Sequence, residues 1–284
     1  MKLAVTGKNQ AGEYAPLVFR GAYADMIAKA KKIGYDAMEL HIHDSNTLDR
    51  RALKQLFEEN RMTLSAIGTG SAYSEDQISL CSENLEKRAK AIKRVQDHIR
   101  TASDYGAVVI IGLIKGRICD CSSKEAYLKN LSSSLCECLK TAQEQNVVLV
   151  LEVINRYESD FLHTIGEGLA FISSFHSDFL QLHIDTFHMN IEETNIAEAI
   201  RSAKGKIGHC HIADSDRWYA GHAHYDFLDT VQALMDIGYE KALSVESFMF
   251  PNSEESAQRS LRTLKKCFVN SLVVPYPAAR GPKF

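Results

Sequence analysis

The stretch from Val147 to Asp214 decides the fold, because it carries three short apolar segments, VVLVLEV (147–153), LQLHID (180–185) and IGHCHIAD (207–214), separated by longer segments of helical pattern. Apolar strands that alternate with helices are typical of parallel strands joined by crossover helices. The alternation extends to both ends of the chain, where further segments have the pattern of strands: 3–7, 37–41, 64–68, 108–113 and 243–247. The sequence therefore predicts eight β/α units.

Eight units in 284 residues, with no linker rich in Pro, Gly or Ser, favour a closed (β/α)₈ TIM barrel over an open doubly wound sheet. The longest helical patterns cover residues 83–105 and 124–145 and are followed by Gly106 and Asn146, which accept the left-handed conformation at a helix C-terminus. No G-x-G-x-x-G follows the first strand, which argues against a dinucleotide-binding fold. We expect a single (β/α)₈ barrel domain over residues 1–284, with residues 273–284 as a proline-rich tail that is loose or packs on the barrel or a neighbouring subunit.

Composition narrows the class of function. The formal net charge is −3, so no overall positive field attracts nucleic acid. No apolar run approaches the about 18 residues of a membrane helix, and the opening MKLAVTG lacks the apolar core of a signal peptide. The seven cysteines have no framework spacing, as expected of free thiols in a reducing compartment. We expect a cytoplasmic protein with a small-molecule substrate and with neither a nucleic-acid nor a membrane partner.

Charged side chains stand at the ends of the last four predicted strands: Glu152, Asp185, His211 and Glu246. In a TIM barrel the carboxyl ends of the strands form the active-site face, and the period of two along a strand aims such side chains at one place. Any one of them could instead cap a helix or pair with an arginine, but four in succession favour a shared ligand. Three carboxylates and one imidazole form an oxygen-rich shell that suits one Mn²⁺, Mg²⁺ or Co²⁺ ion.

Three longer motifs surround these positions: EVINRYE (152–158), DTFHMNIEE (185–193) and HCHIADSDRW (209–218). With them the chain resembles the xylose-isomerase-like barrels and, within these, the ketose 3-epimerases of the tagatose/psicose type. The resemblance runs from the first strand to about Leu264. It implies a metal-dependent isomerase that inverts the carbon beside a ketone through an enediolate, that prefers Mn²⁺ and that forms a dimer or tetramer.

The resemblance also assigns roles to single residues. The metal ligands it implies are Glu152, Asp185, His211 and Glu246. Glu152 and Glu246 would in addition be the catalytic acid and base, which remove a proton and return it on the opposite face. The substrate-binding residues it implies are Glu158, His188 and Arg217.

Two further segments look closer to one branch, the 5-keto-L-gluconate epimerases, which interconvert this keto acid with D-tagaturonate: AIGTGSAY (66–73) and IIGLIKGR (110–117). The second segment places Lys115 and Arg117 after the fourth strand, on the active-site face. Two cations there are expected to bind a substrate carboxylate, although solvated loop charge explains them equally well. The sequence therefore predicts a 5-keto-L-gluconate/D-tagaturonate epimerase, with a neutral ketohexose 3-epimerase of the tagatose/psicose type as the alternative.

Other functions known on this fold remain as alternatives. Hydroxypyruvate isomerase and inosose dehydratase belong to the same class of chemistry. A nuclease of the endonuclease IV type is more remote, because it needs three zinc ions and histidine ligands from earlier strands. The third and fourth strands end in IGT (67–69) and GLI (112–114), without histidine. A non-catalytic sugar-binding module would have little use for two opposed glutamates.

The remaining histidines are expected to have supporting roles. His183 and His209 precede predicted ligands by two residues on the same strand face, so they would lie one layer deeper and orient those ligands. His41 ends the second strand and is placed equally well in the pocket or on a surface loop. His222 and His224 leave an extra metal site open.

Overall fold

Eight parallel strands form a closed barrel in the computed structural model, which describes residues 1–69 and 71–273. The strands are β1 Lys2–Lys8, β2 Ala37–His41, β3 Thr63–Gly68, β4 Val108–Ile111, β5 Leu149–Glu152, β6 Leu180–Asp185, β7 Ile207–Ile212 and β8 Ala242–Val245. Each strand pairs with the next, and β1 also pairs with β8, where Val5 lies opposite Val245. This last pairing closes the barrel. A two-residue strand, Phe19–Arg20, extends the sheet beside the end of β1.

Helices follow the strands and pack around the barrel. The α-helices of the described residues are α1 Tyr23–Ile33, α2 Arg50–Glu59, α3 Ser71–Ser74, α4 Leu85–Ser103, α5 Lys124–Glu144, α6 Ile165–Ser173, α7 Thr186–Glu192, α8 Ile196–Ser202, α9 Phe227–Asp236 and α10 Ser253–Val273. Many begin at a side chain that accepts from the first turn, as Asn84 does for α4 and Ser123 for α5. None of these helices is both long and apolar enough to cross a membrane.

The predicted fold and all eight predicted strands are confirmed, but β4, β5, β7 and β8 end one or two residues earlier than the sequence pattern indicates. Most residues beyond these ends are still buried, Val153, Ala213 and Ser247 among them, because they pack in loops that cover the end of the barrel. An apolar pattern does not distinguish such a loop from a strand. The predicted tail at 273–284 lies outside the described residues, apart from Val273 at the end of α10.

The interior of the barrel changes in character along its axis. Small apolar side chains fill the layers near the amino ends of the strands: one cluster is Ala4, Ala37 and Ala242, and another is Ala66, Ile110 and Val150. Toward the carboxyl ends the buried side chains become polar, as with Thr6, Glu39, His183 and His209. Buried polar groups require hydrogen-bond partners or a ligand, so this end of the barrel is where a site is expected.

Candidate active site

A cavity of about 250 Å³ opens at the carboxyl ends of the strands. Most of the predicted site residues line it: Glu152, Glu158, His188, His211, Arg217 and Glu246. Asp185 lies fully buried at the end of β6, beside the cavity. Lys115 and Arg117 are not among the described residues that line the cavity. The fold thus brings the four predicted metal ligands together with three predicted substrate contacts.

Glu39, a fully buried residue of β2, holds His211 from behind. His211 Nε2 lies 2.9 and 3.0 Å from the Glu39 oxygens, Oε2 also accepts from His209 Nε2 at 2.7 Å, and Oε1 accepts from His41 Nε2 at 2.9 Å. Burial opposes ionisation of Glu39, but the His211 charge and the three histidine hydrogen bonds hold its pKa well below the usual range. A carboxylate that binds one imidazole nitrogen and leaves the other free is the usual support of a metal-bound histidine.

Three carboxylates surround the free nitrogen, His211 Nδ1. It lies 3.3 Å from Glu246 Oε2, 3.9 Å from Asp185 Oδ2 and 4.0 Å from Glu152 Oε1. One ligand atom each from Glu152, Asp185 and His211 lie within 4.8 Å of one another. Within the described part of the chain, His211 Nδ1 and Asp185 Oδ2 are buried without a hydrogen-bond partner. Burial opposes protonation of His211, but the charges of Glu246 and Glu39 raise its pKa well above the usual range. A hard divalent cation in place of that proton would be bound by His211 Nδ1 and the carboxylates together, which is the chemistry this donor set fits.

Arg217 reaches this cluster from the loop after β7. Its guanidinium pairs with Glu246 Oε2, and its Nη1 lies 3.2 Å from Asp185 Oδ2. The backbone of Arg217 has a φ of +65°, a left-handed conformation that costs a non-glycine residue about 1–3 kcal/mol. Its carbonyl accepts from Phe248 N at 2.9 Å, which helps to hold that conformation. The strained turn therefore aims a cation at two of the carboxylates.

The two glutamates of the centre differ in proton affinity. Burial raises the pKa of Glu152 to about 8. Burial also favours the neutral form of Glu246, but the positive charges of His211 and Arg217 outweigh it and lower the pKa of Glu246 to about 2. Two carboxyl groups on one centre with opposite shifts are the arrangement that an acid and a base require.

Asn155 connects His188 with Glu158. Its amide nitrogen donates to His188 Nδ1 at 2.7 Å and to Glu158 Oε1 at 3.0 Å, and its amide oxygen accepts from Tyr157 N at 2.9 Å. Burial, with the charges of Arg217 and Lys115, holds the pKa of His188 well below its usual range, so the ring is neutral. Because Nδ1 accepts, the proton of the neutral ring lies on Nε2, 3.8 Å from both Glu152 Oε1 and Asp185 Oδ2. The 3.5 Å approach of Arg217 Nη1 to the same atom is then a contact between two donors rather than a hydrogen bond. His188 therefore presents a donor to the centre.

Lys115 and Arg117 follow β4 as the sequence predicts, but neither lines the cavity among the described residues. Lys115 is fully buried in the 3₁₀ helix Leu113–Lys115, with Nζ 3.4 Å from the Gly112 carbonyl oxygen. Burial lowers the pKa of Lys115 to about 8, although the nearby Glu152 charge opposes this shift. Arg117 donates to the backbone carbonyl of Glu158 at 2.7 Å. The geometry therefore gives no support to a contact between these cations and a substrate carboxylate.

The other histidines fall into three environments. His209 supports His211 through Glu39, whereas His183 packs its ring 4.1 Å from that of His211, centroid to centroid. Neither nitrogen of His183 has a hydrogen-bond partner among the described residues. His222 bonds Asp216 at 2.6 Å and His224 bonds Ser215 at 3.0 Å. His222 and His224 belong to none of the metal-binding clusters found in the described residues.

Two residues that shape the site are not found by a search for charged side chains at strand ends. Glu39 lies within β2 rather than at its end, and its signal is a lone carboxylate in the buried strand AMELH (37–41). Gly112 follows β4, and a Cβ added there would lie 2.5 Å from Glu152 Oε2. Glycine at this position therefore lets the Glu152 carboxylate pack directly against the backbone.

Fold and site together define a class: a TIM barrel whose last four strands bring together three carboxylates and one histidine in a cluster able to bind a metal ion. The chain belongs to the xylose isomerase-like TIM barrel family, whose profile matches residues 27–267. The resemblance based on the three motifs is thereby confirmed.

Similar proteins are named as sugar epimerases. An L-ribulose 3-epimerase of Mesorhizobium japonicum is 29% identical over 87% of this chain and 83% of its own length. A D-psicose 3-epimerase of Enterocloster bolteae is 31% identical over 80% of this chain and 77% of its own length. A solved structure of an L-ribulose 3-epimerase has a TM-score of 0.81 at 25% identity and covers 99% of each chain. The predicted class of enzyme, an isomerase of the epimerase type, is confirmed by these relatives, and their names agree with the ketose 3-epimerase alternative.

Proposed function

We propose that the protein is a ketose 3-epimerase that acts on free, neutral ketoses and uses one divalent ion, in the first place Mn²⁺. The observation that carries the proposal is geometric: Glu152, Asp185 and Glu246 converge on His211 Nδ1, and Glu152 and Glu246 both line one small cavity. The relatives named for D-psicose and L-ribulose support the choice of substrate class. The donor set of three carboxylates and one imidazole supports Mn²⁺ over the softer metals that thiolates select.

The residues of the chain divide the work of inverting C3. Glu246, ionised, accepts the proton of the C–H bond beside the ketone, and Glu152, protonated, returns a proton to the opposite face. When bound by Glu152, Asp185, His211 and Glu246, the divalent ion supplies positive charge that makes this C–H bond more acidic. His188 donates from Nε2 to a substrate oxygen, and Arg217 keeps a second cation where negative charge develops. Asn155 fixes the orientation of His188 and of Glu158 at the wall of the cavity.

A neutral substrate is favoured over the keto acid. The expectation of 5-keto-L-gluconate depended on Lys115 and Arg117 as carboxylate ligands. The buried ammonium of Lys115 and the contact of Arg117 with the Glu158 carbonyl provide no such ligand pair at the cavity. The expectation of a keto-acid substrate therefore loses the pair of cations on which it depended. A neutral ketose has no carboxylate and requires no such pair.

Proton NMR in D₂O tests the proposal. The Mn²⁺-loaded protein, with Mn²⁺ kept at low levels, is incubated separately with D-psicose, L-ribulose, D-tagatose and 5-keto-L-gluconate. We expect deuterium at C3 of the neutral ketoses and the appearance of their 3-epimers. Exchange with 5-keto-L-gluconate alone would contradict the choice of a neutral ketose and support a keto-acid substrate. No exchange with any of the four, while metal binding is demonstrated, would contradict epimerase function.

A further inference from the structure

An ion pair that the site above does not use lies at the mouth of the cavity: Lys8 and Glu75 both line it. Lys8 is the last residue of β1, and Glu75 follows the short helix α3. Their side chains form a salt bridge between Lys8 Nζ and Glu75 Oε1. The Lys8 side chain is only 10% exposed, whereas that of Glu75 is 49% exposed. The pair therefore spans from the inside of the cavity to its rim.

Strand register places the pair one layer above the catalytic centre. Thr6 lies opposite Glu39 of β2, and Val5 lies opposite Val245, the residue before Glu246. Lys8 is two residues beyond Thr6, which is about 6.6 Å farther toward the mouth. A ketose whose reacting carbons lie at Glu152 and Glu246 can therefore extend toward Lys8 and Glu75, which line the same cavity.

The pair has hydrogen-bonding capacity left for a ligand. Glu75 Oε2 accepts from His43 Nδ1 at 2.9 Å, so both carboxylate oxygens are held in place. An ammonium group has three N–H donors, and Glu75 is the one side-chain partner of Lys8 Nζ in residues 1–69 and 71–273. The remaining donors of Lys8 can bind a hydroxyl oxygen while Glu75 keeps the ammonium in position.

The charges around the cavity disfavour an anionic ligand end. The charged residues among those that line it are two cations, Lys8 and Arg217, and four carboxylates, Glu75, Glu152, Glu158 and Glu246. At the mouth a substrate carboxylate would meet Glu75, which already neutralises Lys8. Like charges placed together are a common means of rejecting the wrong ligand.

We propose that the Lys8–Glu75 pair is a specificity determinant, which binds the neutral hydroxyl-bearing end of the ketose and rejects a carboxylate there. This inference rests on the proposed function, since it assigns the pair to the end of the substrate remote from C3. In this proposal the negative charge of Glu75, rather than the presence of Lys8, makes the protein prefer neutral ketoses to sugar acids.

The test compares Glu75→Gln with the wild-type protein. The variant keeps a hydrogen-bond acceptor for Lys8 but removes the negative charge, so we expect the inhibition constant of D-gluconate against D-psicose epimerisation to fall by about tenfold or more. The kcat/KM ratio of 5-keto-L-gluconate to D-psicose should rise by a similar factor. Lys8→Met should instead raise the KM for D-psicose, with a smaller change in kcat. Glu137→Gln, which removes a carboxylate paired with Lys140 on the exposed face of α5, should leave the inhibition constant unchanged.

The inference would be overturned if Glu75→Gln and the wild-type protein had the same preference for the neutral sugar over the sugar acid. Equilibrium binding of D-gluconate and of the neutral D-glucitol to the Mn²⁺-loaded proteins measures the same preference without turnover. A wild-type protein that binds D-glucitol better than D-gluconate, with the order reversed in Glu75→Gln, supports the inference even if no ketose is epimerised. In that case the proposed function alone would fail.

Discussion

The two halves of the barrel contribute to the site in different ways. The half from β5 to β8 supplies the expected metal ligands, Glu152, Asp185, His211 and Glu246. It also supplies His188 in helix α7 and Arg217 in the loop after β7. The half from β1 to β4 supplies Glu39, which holds His211, and is followed by Gly112, against which Glu152 packs. One half thus carries the reacting groups, and the other fixes where they point. Mutations in the half from β5 to β8 should therefore remove reacting groups, whereas mutations in the half from β1 to β4 should displace them or weaken their support.

The largest effect is expected in the half that carries the chemistry. Glu152→Gln and Glu246→Gln should each lower kcat by about 10³-fold or more, because an amide cannot exchange a proton as a carboxyl group does. Circular dichroism should show that the fold is retained, and each variant is assayed at a Mn²⁺ concentration at which its measured metal content is one ion per chain. Deuterium uptake at C3 of D-psicose is the measurement. A near-wild-type rate in either variant, with metal bound, would refute the two-carboxyl mechanism.

Gly112→Ala tests whether the first half of the barrel positions Glu152, the proposed acid of the second half. The added Cβ would lie 2.5 Å from Glu152 Oε2, so the carboxylate must move, and we expect kcat to fall by about 100-fold. Gly166→Ala is the matched control, since its Cβ would meet its nearest neighbour at 4.0 Å in the first turn of α6. Equal activities of the two variants would show that the contact between Gly112 and Glu152 does not position the carboxylate.

Glu39→Gln should affect the metal rather than the proton transfers. Glu39 is the fixed acceptor for His211 Nε2, and losing its charge weakens the histidine as a ligand. We expect the affinity for Mn²⁺ to fall by about 10- to 100-fold, with much of kcat recovered at saturating Mn²⁺. Competition with a chelator measures the affinity. An unchanged Mn²⁺ affinity in the variant would show that Glu39 does not strengthen His211 as a metal ligand.

The smallest effect is expected for Arg117, at the rim between the halves. Arg117→Gln loses one hydrogen bond to the Glu158 carbonyl, so kcat/KM should fall by less than about threefold. The fall should be the same for D-psicose and 5-keto-L-gluconate. A selective loss of the keto acid would return Arg117 to the role of a carboxylate ligand.

The same division explains how much the sequence alone predicts. Asp185 and Glu246 are visible because a charged residue after an apolar run is rare unless it has a partner. The role of Glu39 is not visible in the sequence, because its partners His209 and His211 are 170 and 172 positions away and meet it only when the barrel closes. The strand pattern places Lys115 after β4, but the 3₁₀ turn that buries its side chain has no sequence periodicity to reveal it. Strand order is thus predictable, whereas the direction of loop side chains is not.

The most direct test of the central claim is a Mn²⁺ titration of metal-stripped protein during deuterium exchange at C3 of D-psicose. If the carboxyl ends of β5 to β8 form the catalytic metal centre, exchange is absent at the start and rises in proportion to bound Mn²⁺ until one ion is bound per chain. Asp185→Asn should bind the ion more weakly and shift the curve to higher Mn²⁺. Full exchange in the stripped protein, or a titration that Asp185→Asn leaves unchanged, would contradict the account.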